Sequence, residues 1–261
     1  MINMNVFKEI YNYRELLKTN IKKEIRGKYK GSWLGVLWTF LNPLLMLAVY
    51  AFVFPYILRV NVDNYTIFMI VALIPWNFFT TAIQSGTGSV VANGNILKKV
   101  YFPREILPIS IVTSGLINFL ISCVIILIFV LLGGCGISWH LIFLPFIALI
   151  QYIISLAIIF LLSAFNVYVK DVEYMVTFII NLFFYATPVL YSTEMFQGSW
   201  MIWLFRLNPM AHLINAYRDI FYVHRVPALG NLGILLIIGI VALTLCYKAF
   251  KKLEKRFAEE V

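Results

Sequence analysis

Side chains able to do chemistry are few in this chain, and their spacing limits what that chemistry could be. Asp171 and Glu173 come nearest to a metal-holding carboxylate pair, but two acids at a helix start are more often complements of its dipole. Cys123, Cys135 and Cys246 share no Cys-x-x-Cys spacing, and no histidine is placed to activate a thiol. His140, His212 and His224 have no partner at metal-ligand spacing and read as interfacial histidines. Gly27-Lys28 is followed by Tyr29, so the chain lacks the Gly-rich Lys-Ser/Thr loop that cradles nucleotide phosphates. If this chain drives transport, another polypeptide hydrolyses the nucleotide.

The elements that carry these residues are read from composition. Of 261 residues, 62% are hydrophobic and 13% charged, with a mean hydropathy of +0.87. A soluble domain carries about a quarter charged residues. Disorder and a disulfide scaffold are excluded, and the chain reads as an all-α integral membrane protein. The net charge of +9 would suggest nucleic acid in a soluble protein; here it serves membrane topology instead, and no nucleic-acid partner is expected.

Charges mark the ends of the apolar runs. Gly31 to Leu58, Asn64 to Leu97 and the run from Ile106 to Val169 are uncharged, as are residues 174–193 and 226–247. The third run is too long for one crossing of about 20 residues, and Gly133-Gly134-Cys135-Gly136 divides it, giving six transmembrane helices. Seventeen of the 21 lysines and arginines fall on one side, in residues 1–30, the Lys98–Arg104 loop, Lys170 and the tail from Lys248. The positive-inside rule puts that side, and both termini, in the cytoplasm. The charged first 30 residues lack the apolar core of a cleavable signal peptide. The expected organisation is an amphipathic interface helix in 1–30, a six-span domain in 31–250 and a cytoplasmic tail in 251–261. Ion-coupled transporters place ionisable groups at membrane depth; these spans contain none, which argues against that class.

Three segments are more than spans. Phe7, Ile10, Leu17 and Ile21 recur at helical steps beside Lys8, Lys18, Lys22 and Lys23, the pattern of a helix lying in an anionic headgroup plane. Asn93 to Glu105 offers a short cytoplasmic coupling helix stopped by Pro103, with Leu97, Val100, Tyr101 and Phe102 beside basic residues. That loop reads either as a docking surface or as aromatics resting on lipid. Between Glu194 and Gly230, an apolar patch around Trp200 and Trp203 precedes the Asn208-Pro209 break. A second helix, Met210 to Tyr222, then has Leu213, Ile214, Tyr217 and Phe221 on one face and Arg218 and Asp219 off it. Two short helices dipping into the outer leaflet fit this segment, either as an interfacial hairpin or as a lid over a pathway.

The interior is aromatic and small-polar, with 22 Phe, 15 Tyr and 6 Trp. Tyr50, Phe54, Trp76, Phe78, Phe79, Tyr152 and Phe183-Phe184-Tyr185 are not easily assigned to the interfacial belts. Aromatic faces can stack on sugar C–H faces without demanding charge; lipid-facing packing is the competing reading.

Several collinear stretches resemble the polysaccharide-export branch of the type-2 ABC transporter permeases, the membrane subunits of O-antigen, teichoic-acid and capsule exporters. They are Tyr13-Arg14-Glu15-Leu16-Leu17, Arg26 to Gly35, Trp38, Asn42-Pro43-Leu44 and Ile96 to Pro108. Lys170-Asp171-Val172, Thr187-Pro188-Val189-Leu190-Tyr191, Asn208-Pro209 and Ala216-Tyr217-Arg218-Asp219 continue the series. Each is weak alone; in order across nearly the whole chain they are specific.

The resemblance implies a homodimeric permease with two ATP-binding subunits in a bacterial cytoplasmic membrane, moving a polymer on a polyprenyl diphosphate carrier. The chain itself would be no enzyme and hold no cofactor; ATP and magnesium would sit on the partner. Leu97, Lys98, Lys99, Tyr101, Phe102, Pro103, Arg104 and Glu105 would form the coupling helix. Trp38, Tyr50, Phe54 and Tyr185 would border the substrate path, Arg26, Lys28 and Lys30 would meet the lipid diphosphate, and Asn208, Pro209, Tyr217, Arg218 and Asp219 would form an outer gate. One departure is Tyr222-Val223-His224-Arg225, which replaces the family's usual glycine-containing run after Asp219. A drug- or lipid-exporting permease, a membrane-embedded glycosyl or acyl transferase and a passive channel are the competing readings.

Overall fold

The computed structural model describes residues 10–27, 33, 38–56, 63–196 and 198–260, and all regular elements among them are helical. In chain order the main helices are α1 (Arg14–Gly27), α2 (Trp38–Tyr56), α3 (Tyr65–Thr87), α4 (Ile106–Leu132), α5 (Leu144–Tyr168), α6 (Val172–Tyr185), α7 (Met201–Leu207), α8 (Pro209–Arg218) and α9 (Leu229–Leu253). Four stretches among the described residues are long and apolar enough to cross a membrane: Tyr65–Thr87, Ile106–Leu132, Trp139–Tyr168 and Leu229–Arg256. The expected first and fifth spans are occupied by α2 and α6. The latter has 14 residues, about 21 Å at the α-helical rise, against a hydrocarbon core of about 30 Å. It is shorter than its uncharged run because Pro188 cannot continue a helix and biases Thr187 away from helical geometry.

The break expected at Gly133-Gly134-Cys135-Gly136 is present. The α4 helix ends at Leu132, and Gly134 and Gly136 take φ of +76° and +77°, where a Cβ would be strained. A 3-10 turn over Trp139–Phe143 then leads into α5, whose first turn carries Pro145.

Helix α3 is the hub. It packs on α2, α4, α5, α6 and α8, and most of its side chains are buried. Its approach to α5 is close: a Cβ at Gly86 would lie 2.6 Å from Ile159, so only glycine fits without displacing that side chain. The last helix, α9, lies along α5 and leaves Ile234, Ile237, Ile238, Val241 and Leu245 exposed. In a bilayer that stripe meets lipid without cost.

The helices divide the molecule into two ends. One carries the 88–105 loop, the α5–α6 junction and the C-terminal residues. The other carries the glycine turn, the 186–208 segment and the 219–228 turn. At the loop end α1 packs against α4 with Tyr13 and Leu16 turned inward and Lys18, Lys22, Lys23 and Arg26 outward, the amphipathic division its sequence predicts. Residues 251–260 are not a free tail. The backbone carbonyl of Leu253 accepts a hydrogen bond from Tyr168 at 2.7 Å, and Phe257 is fully buried against Phe250 and Tyr168.

Candidate functional site

At the far end, Arg218 is buried in a cage of backbone carbonyls. Its guanidinium donates to Pro188 O at 2.7 Å, Val189 O at 2.8 Å, Tyr191 O at 3.4 Å and Phe68 O at 3.5 Å, and lies 3.5 Å from the centre of the Phe68 ring. The carbonyls of residues 188–191 are free to accept because α6 has ended before them. Burial lowers the Arg218 pKa to about 9, so the cation persists at neutral pH and the carbonyl dipoles and ring face compensate it. The adjacent Asp219 pairs instead with Arg225, Nε to Oδ1 at 2.7 Å; burial raises its carboxyl, and Arg225 opposes that rise.

Asn208 closes the same corner. Its side-chain oxygen accepts from the backbone N–H of Met210 and Ala211, capping α8, while its amide donates to Thr187 Oγ1 at 2.9 Å and Ala186 O at 3.2 Å. Pro209, at the first helical position, needs no hydrogen-bond acceptor. Tyr217, fully buried, donates to Gln151 Oε1 at 2.9 Å, and Gln151 donates to Pro75 O at 2.8 Å. The five residues expected to gate this end are thus held together on α8 and its two ends. The helix expected over Met210 to Tyr222 is instead α8 followed by a wider π turn over Asp219–Val223, with His224 left-handed at φ 58°. That wider turn brings Arg218 and Asp219 into the interior alongside Tyr217 and Phe221.

At the loop end the expected coupling residues separate into two sets. Lys98, Lys99, Val100 and Tyr101 are exposed, the last at 80%, with Ile96 beside them. Leu97, Phe102, Pro103 and Glu105 are buried, and Arg104 is half-buried. Glu105 accepts from Lys251 Nζ at 2.8 Å and Tyr247 OH at 3.2 Å, and Lys251 also reaches Glu254 at 3.0 Å. Arg104 donates to the Glu254 carbonyl and faces the Phe257 ring. Arg104 and Glu105 therefore clamp the loop to the end of α9 and the residues after it, and the outward residues are Ile96 and Lys98 to Tyr101. From the other side, Lys23 of α1 donates to Asn93 at 3.1 Å.

Of the expected path residues, Trp38 is exposed at the start of α2, Tyr50 stacks at 6.1 Å on Phe184, and Tyr185 is exposed. The Phe54 side chain lies outside the described residues. Helix α6 leaves Tyr174, Met175, Phe178, Ile179, Leu182 and Tyr185 uncovered at helical spacing, and α2 leaves Leu45, Met46, Val49 and Phe52. Trp76 and Phe79 belong to the core, packing with Phe183 and Phe184. Of the basic residues expected at the diphosphate, Arg26 is exposed at the end of α1, while Lys28 and Lys30 lie outside the described residues.

The sequence profile of the ABC-2 type transporter matches residues 15–222, which take in the Arg218 cage, the 88–105 loop and the uncovered faces of α2 and α6, and stop short of Arg225 and α9. The chain belongs to the ABC-2 type transporter family. Within the family it is similar to the O-antigen export system permease protein RfbA of Myxococcus xanthus, 36% identical over 259 residues, 99% of this chain and all of that one. Two proteins of the same name from Klebsiella pneumoniae are 34% and 35% identical, each covering 94% of both chains. As an ABC-2 chain it is a multi-pass membrane protein, and the Arg218 cage, or lock, the clamp and the uncovered faces are parts of a transport subunit.

Three functional residues were not singled out from sequence. Gln151, an amide in the middle of an apolar run, could have been: such a residue needs a partner inside the bundle. Tyr247 and Lys251 gave no signal, because their partner Glu105 lies more than 140 residues away.

Proposed function

We propose that this chain is the membrane-spanning permease subunit of an ATP-driven exporter. It moves a polyprenyl-diphosphate-linked polysaccharide of the O-antigen, teichoic-acid or capsule type across the bacterial cytoplasmic membrane. The observation that carries this reading is the near full-length identity to permeases named for O-antigen export. In this reading six helices cross the membrane, α2 and α6 among them, with both termini in the cytoplasm and the 186–228 segment on the outer side. Two copies meet through the uncovered faces of α2 and α6, placing an aromatic, uncharged route for a hydrated glycan at a two-fold axis. Two ATP-binding subunits carry ATP and magnesium and dock on Ile96 to Tyr101. Arg26, Lys28 and Lys30 meet the lipid diphosphate on its arrival.

Energy enters through the loop end. A push on Ile96 to Tyr101 moves α9 through the Glu105–Lys251 clamp, and α9 lies along α5, which reaches the outer gate through Gln151 and Tyr217. The test is to express the chain from its native operon, purify it in mild detergent, reconstitute what co-purifies and follow ATP-dependent movement of lipid-linked glycan. A stoichiometric ATPase and nucleotide-dependent export are expected. Glycosyl or acyl transfer by the isolated chain, abolished by Asp171→Ala or His140→Ala, would replace this reading with a transferase. Export of small drugs or lipids alone would place the chain elsewhere in its family.

A further inference from the structure

A groove of about 790 Å³ runs between α2, α3 and α4, within the range of roughly 300–1,000 Å³ that small-molecule sites occupy. Its chemistry departs from that of the surrounding apolar surfaces. Asn77 and Thr81 line it from α3, and Asn118 and Ser122 line it from α4. Each pair is spaced four residues apart, so each helix turns one polar stripe toward the groove. None of these four side chains makes a hydrogen bond to the described residues, and the Asn118 amide nitrogen is buried without a partner. A buried amide left so is costly, and most in a bilayer, where water is scarce. Aromatic rings accompany the stripes: Phe78 and Phe119, both largely buried, stack at 5.5 Å behind them, and Trp38 is the exposed ring of the groove. Gly115 lets α4 approach Phe78 closely, since a Cβ there would press on that ring at 3.0 Å.

We propose that this groove is a subsite for a neutral, hydroxyl-bearing sugar unit, held by the Asn77/Thr81 and Asn118/Ser122 stripes beside aromatic rings. The inference rests on the glycan-export reading and deepens it by giving the polymer a place to bind. No lysine or arginine among the described residues lines the groove, so those residues do not suit the diphosphate. An acyl or isoprenoid chain would leave both polar stripes without partners. Sugar hydroxyls both donate and accept, which is what two amides and two hydroxyls require. The apolar C–H faces of a pyranose match the aromatic rings.

The test uses the whole exporter, expressed with its ATP-binding partner in cells that make the native polymer. A photo-reactive p-benzoylphenylalanine is placed at Thr81, at Ser122 in a second variant, and at lipid-facing Val124 as reference. Irradiation should attach periodate-reactive glycan at Thr81 or Ser122 at least ten-fold more than at Val124, and Asn118→Leu should reduce both that adduct and export at least five-fold. Phospholipid adducts alone, or no adduct, in cells that export the polymer would overturn the subsite and leave the exporter reading standing. Export within two-fold of normal in Asn118→Leu would do the same. Wild-type complexes that export no glycan would overturn both.

Discussion

The two ends of the molecule hold buried charge in opposite ways. At the far end, Arg218 is compensated by a ring face and by backbone carbonyls, and the carbonyls cannot rotate away without moving the chain itself. At the loop end, Glu105 is neutralised by side chains, Lys251 and Tyr247, that can lengthen, tilt and re-form. The first joint holds one backbone geometry, that of residues 186–191. The second joins two elements yet tolerates displacement between them, which suits the end where the stroke of a partner would arrive. A buried cation in a carbonyl cage is a fixed point; a partly buried ion pair is a hinge.

Breaking the fixed point should cost most. Arg218→Ala removes a charged donor from several carbonyls and should destabilise the protein by about 3–5 kcal/mol in detergent, measured by thermal or denaturant unfolding. Arg218→Lys keeps the charge but loses the fork, so a recovery of more than half would show that charge, rather than geometry, makes the lock. Glu105→Ala should cost about 2–3 kcal/mol, because Lys251 retains Glu254 and a part-open path to water. A double-mutant cycle of Glu105→Ala with Lys251→Ala should show coupling of at least about 1 kcal/mol; none would mean that the two ends do not differ as argued. Asn208→Ala loses a helix cap and the bond to Thr187, about 1–2 kcal/mol. Arg225→Ala cuts an ion pair whose arginine is largely exposed, and should cost under about 1 kcal/mol and less in high salt. Tyr101→Ala should leave stability within about 0.5 kcal/mol and still reduce co-purification of the ATP-binding partner several-fold. Phe102→Ala would be a poorer probe of docking, since its side chain is buried beside the clamp.

Much of this was legible from charge alone. Helix α4 begins directly after Glu105 and α5 ends just before Lys170, because an ionised group at the edge of an apolar run marks where the chain leaves the bilayer. Glycines at positive φ could be placed from the Gly-Gly-Cys-Gly turn. The length of α6 was not read from its uncharged run, although Pro188 carried the signal. The loop expected to couple lies between α3 and α4, and only the fold divides its residues into buried and exposed sets. Phe102 and Tyr101 are neighbours of similar type, yet the first is buried and the second exposed, a difference that only the packing of the loop decides.

Sequence by itself determined that this chain is helical and lives in a membrane, that its long apolar runs carry no Asp, Glu, Lys or Arg, and that the given residues contain no Gly-rich Lys-Ser/Thr loop. Those properties follow from composition and one-dimensional spacing, because lipid excludes charge wherever it stands in the fold. The collinear motifs added the family. Only the tertiary structure decided that Arg218 faces inward, that Glu105 meets Lys251, that Gln151 joins Pro75 to Tyr217, and that two polar stripes share one groove. Each depends on groups from distant parts of the chain, and a buried polar atom is defined by the partners that surround it, which no local pattern records.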